Sequence, residues 1–161
     1  MITLPDTRPI IVKHIMSQDT CEQIINQCPE YTGSVKKSFG NGPFIPGQWS
    51  ESIINKKRIR LEQHTEQWIT DLLDIGNIKC ESKNMYVCMY SKGDVCNLHN
   101  DPSKYTILLA LNNAYAGGEV IVDQQRIGLD TGDCIVFKGD TKHEVKEITN
   151  GVRWSLNIWI F

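Results

Sequence analysis

Two histidines and an aspartate in the second half of the chain could share one metal ion: His99 and Asp101, two positions apart, and His143. Two imidazoles and one carboxylate can occupy one face of an octahedral ferrous ion, leaving three adjacent positions for a co-substrate and dioxygen. Arg153 follows as a nearby cation. A His-x-Asp pair carries little weight alone. With four histidines and ten aspartates in 161 residues, chance supplies about 0.25 such pairs.

Local structure must bring these residues together. Side chains two apart on an extended segment share a face, so one short stretch could present both His99 and Asp101. His143 follows a turn at 139–142 and opens a later strand, which a rolled barrel could bring opposite that pair. Arg153 begins the last long strand, where Arg153, Ser155, Asn157 and Trp159 alternate with Val152, Trp154, Leu156, Ile158 and Ile160. An arginine and a serine on one face could grip a carboxylate, with two charge-assisted hydrogen bonds from the guanidinium and a third from the hydroxyl. The competing reading is a solvated face on which Arg153 is an ordinary surface cation.

The rest of the chain divides in two. From residue 78 the apolar pattern has period two, giving strands at 78–82, 84–90, 105–112, 119–122, 125–129, 134–138, 143–148 and 152–160. Turn residues separate them at 91–94, 116–118, 130–133, 139–141 and 149–151. Many short strands without intervening helices indicate a sandwich or a jelly-roll barrel. Before residue 78, Ser17 can cap a helix whose Cys21, Ile24, Ile25 and Cys28 form one apolar stripe, ended by Pro29. A second helix is expected over 55–74 from the spacing of Leu61, Trp68, Ile69, Leu72 and Leu73. Between them, 36–50 is rich in glycine, proline and aromatics and is a candidate lid. The expected fold is therefore mainly β with N-terminal helices (α+β). It forms one domain over 1–161, with a helical preface at 1–77 and a jelly-roll core at 78–161.

Composition narrows the function classes. Hydrophobic residues at 40% and charged residues at 22% are ordinary for a globular chain, which disfavours disorder and fibrous classes. A net charge of -2 offers no general attraction to nucleic acid, and the basic run at Lys56, Lys57, Arg58 and Arg60 reads as a solvated helix face. No nucleic-acid partner is expected. The N-terminus has no unbroken apolar stretch, so no signal peptide, membrane span or membrane partner is expected and the location is read as cytoplasmic. The six cysteines lack zinc-type spacing and read as reduced thiols.

Taken together, residues 84–161 resemble the iron(II)/2-oxoglutarate-dependent oxygenases, specifically the prolyl 4-hydroxylase-like branch. The resemblance rests on Tyr90-x-x-Gly93, His99-x-Asp101, Thr106 and Leu111-Asn112. It continues through Gly117-Gly118-Glu119, Gly132-Asp133 before Val136-Phe137, His143-Glu144-Val145, Gly151, Arg153 and Trp159. It implies a double-stranded β-helix core of cupin-like type. It also implies that His99, Asp101 and His143 hold Fe(II), and that Arg153 pairs with the distal carboxylate of 2-oxoglutarate, assisted by the Tyr90 hydroxyl. Dioxygen would be the oxidant and ascorbate an optional reductant. Hydroxylation of an unactivated C–H bond would accompany release of succinate and carbon dioxide, with a prolyl residue of a peptide or protein as the expected target. A free amino acid or other small metabolite is the alternative substrate, and a non-catalytic jelly-roll binding module the second alternative.

Three departures from the family pattern stand out. Arg153 replaces the lysine of collagen-type members. Ala110 stands where relatives often have a tyrosine that reaches the co-substrate, a loss that Ser155 could offset. The stretch between Gly118 and Gly132 is short, with little room for a substrate-recognition insertion.

Overall fold

The computed structural model describes residues 8–27, 49–51, 57–61, 80 and 83–161. In chain order the described elements begin with β1 (Ile10–Val12), α1 (Gln18–Gln27), β2 (Trp49–Glu51), β3 (Lys57–Leu61), β4 (Lys83–Tyr90), β5 (Cys96–His99) and β6 (Tyr105–Ala110). They continue with β7 (Tyr115–Gly117), β8 (Val120–Val122), β9 (Gln125–Ile127), β10 (Cys134–Lys138), β11 (His143–Val145), β12 (Ile148–Gly151) and β13 (Arg153–Ile160).

Seven strands form the main sheet, in the order β1-β10-β6-β13-β4-β3-β2, and four form the facing sheet, β5-β11-β8-β9. Every strand pair is antiparallel. The result is the jelly-roll expected from the period-two pattern. Its main sheet is buried on both faces, which is why its strands read as almost continuous apolar runs. One face carries Val87, Ile107, Leu109, Val136, Leu156, Ile158 and Ile160, packed under Cys21 and Ile24 of α1. The other carries Cys88, Tyr90, Leu108, Ile135 and Phe137, packed against Val120, Val122 and Val145 of the smaller sheet. A buried leucine-sized side chain contributes about 1.5–3 kcal/mol, so the two cores together hold the sheets in register.

Helix α1 begins as its sequence suggests. The Ser17 hydroxyl accepts a hydrogen bond from the Thr20 backbone N–H at 3.1 Å, satisfying one of the free donors of the first turn. Met16, immediately before the cap, packs so close to Gly132 that a Cβ there would collide with the Met16 carbonyl. Gly132 also has φ +89°, a conformation that glycine adopts without cost.

Several expectations need correction. Residues 57–61 are not the start of a helix; they form β3, paired with β2 on one side and β4 on the other. The stretch 1–77 is therefore not a purely helical preface, since β1, β2 and β3 from it extend the main sheet. The expected turns at 116–118 and 149–151 instead contribute to the β7–β12 ladder, and 143–148 is two strands rather than one. The irregularity between Ile148 and Asn150, with Gly117 and Gly151 at positive φ, makes a bulged ladder out of turn-type residues. The rest of the 55–74 helix, the helix end at Pro29, and the 36–50 loop apart from Trp49 and Ser50 lie outside the described residues. So does most of the strand expected at 78–82. Among the described residues no helix is long and apolar enough to cross a membrane, and no described cysteine is in a disulfide.

Candidate metal centre

The two sheets meet at His99, Asp101 and His143. Strand β5 ends at His99, and β11 begins at His143, its direct cross-strand partner. Asp101 lies just beyond β5, where its backbone N–H donates to the Gly139 carbonyl at 2.7 Å. That bond ties the segment after β5 to the turn before β11. A side chain at position 139 would strike the Ser103 backbone, so glycine is required for this close approach. The three side chains offer ligand atoms that all lie within 4.8 Å of one another.

Hydrogen bonds set the donor geometry. The Nδ1 of His99 lies 2.6 Å from the Asn97 carbonyl and the Nδ1 of His143 lies 2.9 Å from the Thr141 carbonyl. A carbonyl can only accept, so Nδ1 carries the proton in both rings and Nε2 presents its lone pair. Both Nε2 atoms face Asp101, at 3.5 Å from Oδ1 for His99 and 3.3 Å from Oδ2 for His143. With both rings neutral, three acceptors thus converge with no donor among them, an arrangement that a metal cation or a proton completes. The donor set fits Fe(II), and backbone partners on the far ring nitrogens are the usual support for metal-bound histidine.

Electrostatics agree with this geometry. Burial favours the neutral form of Asp101, but hydrogen bonds from His143, His99 and Thr106 outweigh it and hold the carboxyl well below the usual carboxylate range. The same contact raises His99 to about 10, with help from the thiol of Cys96 at 3.7 Å. In the absence of a metal ion, a proton stands in for the cation.

Arg153 is on the buried side of its strand, which removes the surface-cation reading. Its residue is 4% exposed, and Ser155 and Asn157 on the same face are buried too. Its guanidinium makes no ion pair among the described residues. It donates to the Ser155 hydroxyl at 3.3 Å, and that hydroxyl donates to Asn157 Oδ1 at 2.9 Å. The Tyr90 ring lies directly across the ladder, with the guanidinium carbon 5.2 Å from its centre. Burial pushes the Tyr90 phenol well above its ordinary range, so it stays a neutral donor. A buried guanidinium without a counterion is costly, and an anionic ligand would relieve that cost.

All six expected site residues, Tyr90, His99, Asp101, His143, Arg153 and Ser155, therefore fall in one region. Five of them, with Ser155 just behind, open onto a small cleft of about 20 Å³ that Asn157 also lines. Thr106 was legible only as part of a motif, yet its hydroxyl donates to Asp101 Oδ2 at 2.7 Å from a fully buried position. The signal available was its place on the inward row of β6, two residues before Leu108. Cys96 had no signal beyond its neighbourhood to His99.

Comparison with known proteins accords with this arrangement. Residues 85–161 match the family model of the 2OG-Fe(II) oxygenase superfamily. A PKHD-type hydroxylase of Pseudomonas putida is 31% identical over 72 residues, which cover 42% of this chain and 31% of that protein. The chain thus spans about a third of the length of that curated relative. Among solved structures, the viral collagen prolyl hydroxylase of Paramecium Bursaria Chlorella virus-1, in complex with 2-oxoglutarate, superposes with TM-score 0.69 at 15% identity, covering 96% of each chain. A Trichoplax adhaerens prolyl hydroxylase, in complex with a peptide fragment of the hypoxia inducible factor oxygen degradation domain, gives TM-score 0.68 at 17% identity over 97% of this chain and 84% of that one. At such identity these two likenesses speak for the fold alone, while the family match covers every residue of the metal trio and Arg153. Residues 85–161, just under half of the chain, thus carry the sequence pattern of the 2OG-Fe(II) oxygenase superfamily, and the fold resembles that of the prolyl hydroxylases named above.

Proposed function

We propose that this chain is an Fe(II)- and 2-oxoglutarate-dependent dioxygenase that hydroxylates an unactivated C–H bond of a prolyl residue in a peptide or protein. The observation that carries the reading is the pairing of a converged His99-Asp101-His143 trio with a buried Arg153 that has no ion-pair partner among the described residues, on the same cleft. In this role the trio holds Fe(II), and Arg153 takes the distal carboxylate of 2-oxoglutarate with the Tyr90 phenol as a second donor. Ser155 fixes the guanidinium through its hydrogen bond. When bound, the iron supplies the oxygen activation: dioxygen and 2-oxoglutarate are consumed, one oxygen atom enters the substrate C–H bond, and succinate and carbon dioxide leave. The protein supplies position and a dry, buried surround for that chemistry. A prolyl target is supported by the named activities of the structural neighbours, one of them bound to a peptide.

A second reading keeps the cofactors and changes the target to a free amino acid or other small metabolite. It is favoured by the hairpin of β8 and β9, three residues each and joined only by Asp123 and Gln124, where no substrate-binding insertion is present. Incubation of the Fe(II) protein with 2-oxoglutarate, ascorbate and either prolyl peptides or metabolite pools decides between them. Succinate release together with a hydroxylated peptide supports the first reading, and a hydroxylated metabolite the second. No succinate under any condition contradicts both.

A further inference from the structure

Arg153 lines two cavities of very different size. The metal-facing cleft measures about 20 Å³, room for roughly one water molecule. The second cavity that it borders measures about 360 Å³, at the lower end of the range for small-molecule pockets, about 300–1,000 Å³. A five-carbon 2-oxo dicarboxylate cannot fit the first space alone.

The inward row of β6 explains why the second space is open. Thr106, Leu108 and Ala110 face the barrel interior and lie opposite Trp159, Asn157 and Ser155 of β13. At the metal end Thr106 is spent on Asp101, and Leu108 closes the wall. At the far end the side chain is only a methyl, and Ala110 borders the larger cavity together with Arg153. Val120, Ile127 and Leu129 give that cavity an apolar wall suited to methylene groups. Its other cation, Arg126, is at the exposed mouth, 3.9 Å from Glu119. Arg153 is thus the buried charge, without an ion-pair partner among the described residues, that a carboxylate would meet.

Resting on the function proposed above, we infer that the larger cavity is the far end of the co-substrate chamber. It admits straight-chain 2-oxo dicarboxylates longer than 2-oxoglutarate, and Ala110 sets the length limit. The chain of such an acid lies along the apolar wall while its distal carboxylate reaches Arg153 from the cavity side.

Calorimetric titration of the Mn(II)-loaded full chain with 2-oxoglutarate and 2-oxoadipate tests this without turnover. A pocket that rejects one extra methylene discriminates by about 10-fold or more, so the expected result is 2-oxoadipate binding within about 10-fold of 2-oxoglutarate. Ala110→Leu, which fills the gap, is expected to weaken 2-oxoadipate by more than about 10-fold relative to 2-oxoglutarate. Wild-type discrimination above that margin, or an equal loss of both acids in the variant, overturns the inference. Should Ala110→Leu not fold, as judged by urea unfolding, the wild-type ratio decides alone. If neither acid binds, the proposed function itself fails; if 2-oxoglutarate alone binds, only the chamber assignment does.

Discussion

Replacing Thr106 by valine should weaken metal binding without disturbing the shape of the core. The Thr106 hydroxyl is fully buried and donates to Asp101 Oδ2 at 2.7 Å, while His143 Nε2 approaches the same oxygen at 3.3 Å. This bond fixes the rotation of the carboxylate and so leaves Oδ1 aimed at His99. Valine has nearly the same volume but no hydroxyl. A buried hydrogen bond to a charged group contributes about 1.5–3 kcal/mol. Lost support of this kind around a metal ligand typically lowers affinity by about 10–100-fold. The assay is a Mn(II) titration followed by calorimetry, with Thr106→Ser as the control that keeps the hydroxyl. Thr106→Val should bind Mn(II) at least about 10-fold more weakly than the serine variant. Equal affinity in the valine, serine and wild-type proteins would refute the argument that Thr106 orients Asp101.

Arg153→Met removes a buried charge that has no described carboxylate partner, so the metal-free protein should be as stable as wild type or more so in urea, while 2-oxoglutarate affinity falls by roughly 100-fold. Loss of stability together with unchanged affinity would place Arg153 in the fold rather than the site. Gly139→Ala should cost more than about 2 kcal/mol in urea unfolding, because its Cβ would collide with the Ser103 backbone at the turn that positions both Asp101 and His143. Asp133 gives a pH-dependent case. Burial opposes its ionisation, but hydrogen bonds from Lys13 and from the His14 and Asp130 N–H groups win, and its folded pKa is lowered. Its contribution is therefore complete above the unfolded carboxylate pKa near pH 4 and is lost as pH falls through the folded value. Asp133→Asn should thus be less stable than wild type at pH 7, with the difference shrinking below about pH 4 in urea midpoints.

The parts of the fold that were legible are those where burial alone writes the pattern. The strict alternation of β13 announced one face of Arg153, Ser155 and Asn157 and another of Leu156, Ile158 and Ile160, and both faces occur as read. The Ser17 cap and the Cys21-Ile24 stripe did the same for α1. Strand β3 was missed because the apolar spacing from Leu61 to Leu73 suggested a helix that extended back over Lys57-Arg58-Ile59-Arg60, although that run alternates. Strands β7 and β12 were missed because Gly117, Asn150 and Gly151 carry turn chemistry, which a bulged pairing also uses. At the site, residue types and order were enough to single out the three residues whose ligand atoms converge and the arginine that shares their cleft. What they could not convey was space: the role of Ala110 follows from the cavity it leaves beside Arg153, a property of two strands in register.

The central claim is that His99, Asp101, His143 and Arg153 form one site for a metal ion and a 2-oxo acid. Anaerobic titration of 2-oxoglutarate into the Fe(II)-loaded protein tests it most directly. The account predicts binding of one equivalent that requires the metal, disappears on chelation, and is lost in both His143→Ala and Arg153→Met. Binding that survives chelation, or that is untouched by either substitution, would contradict it.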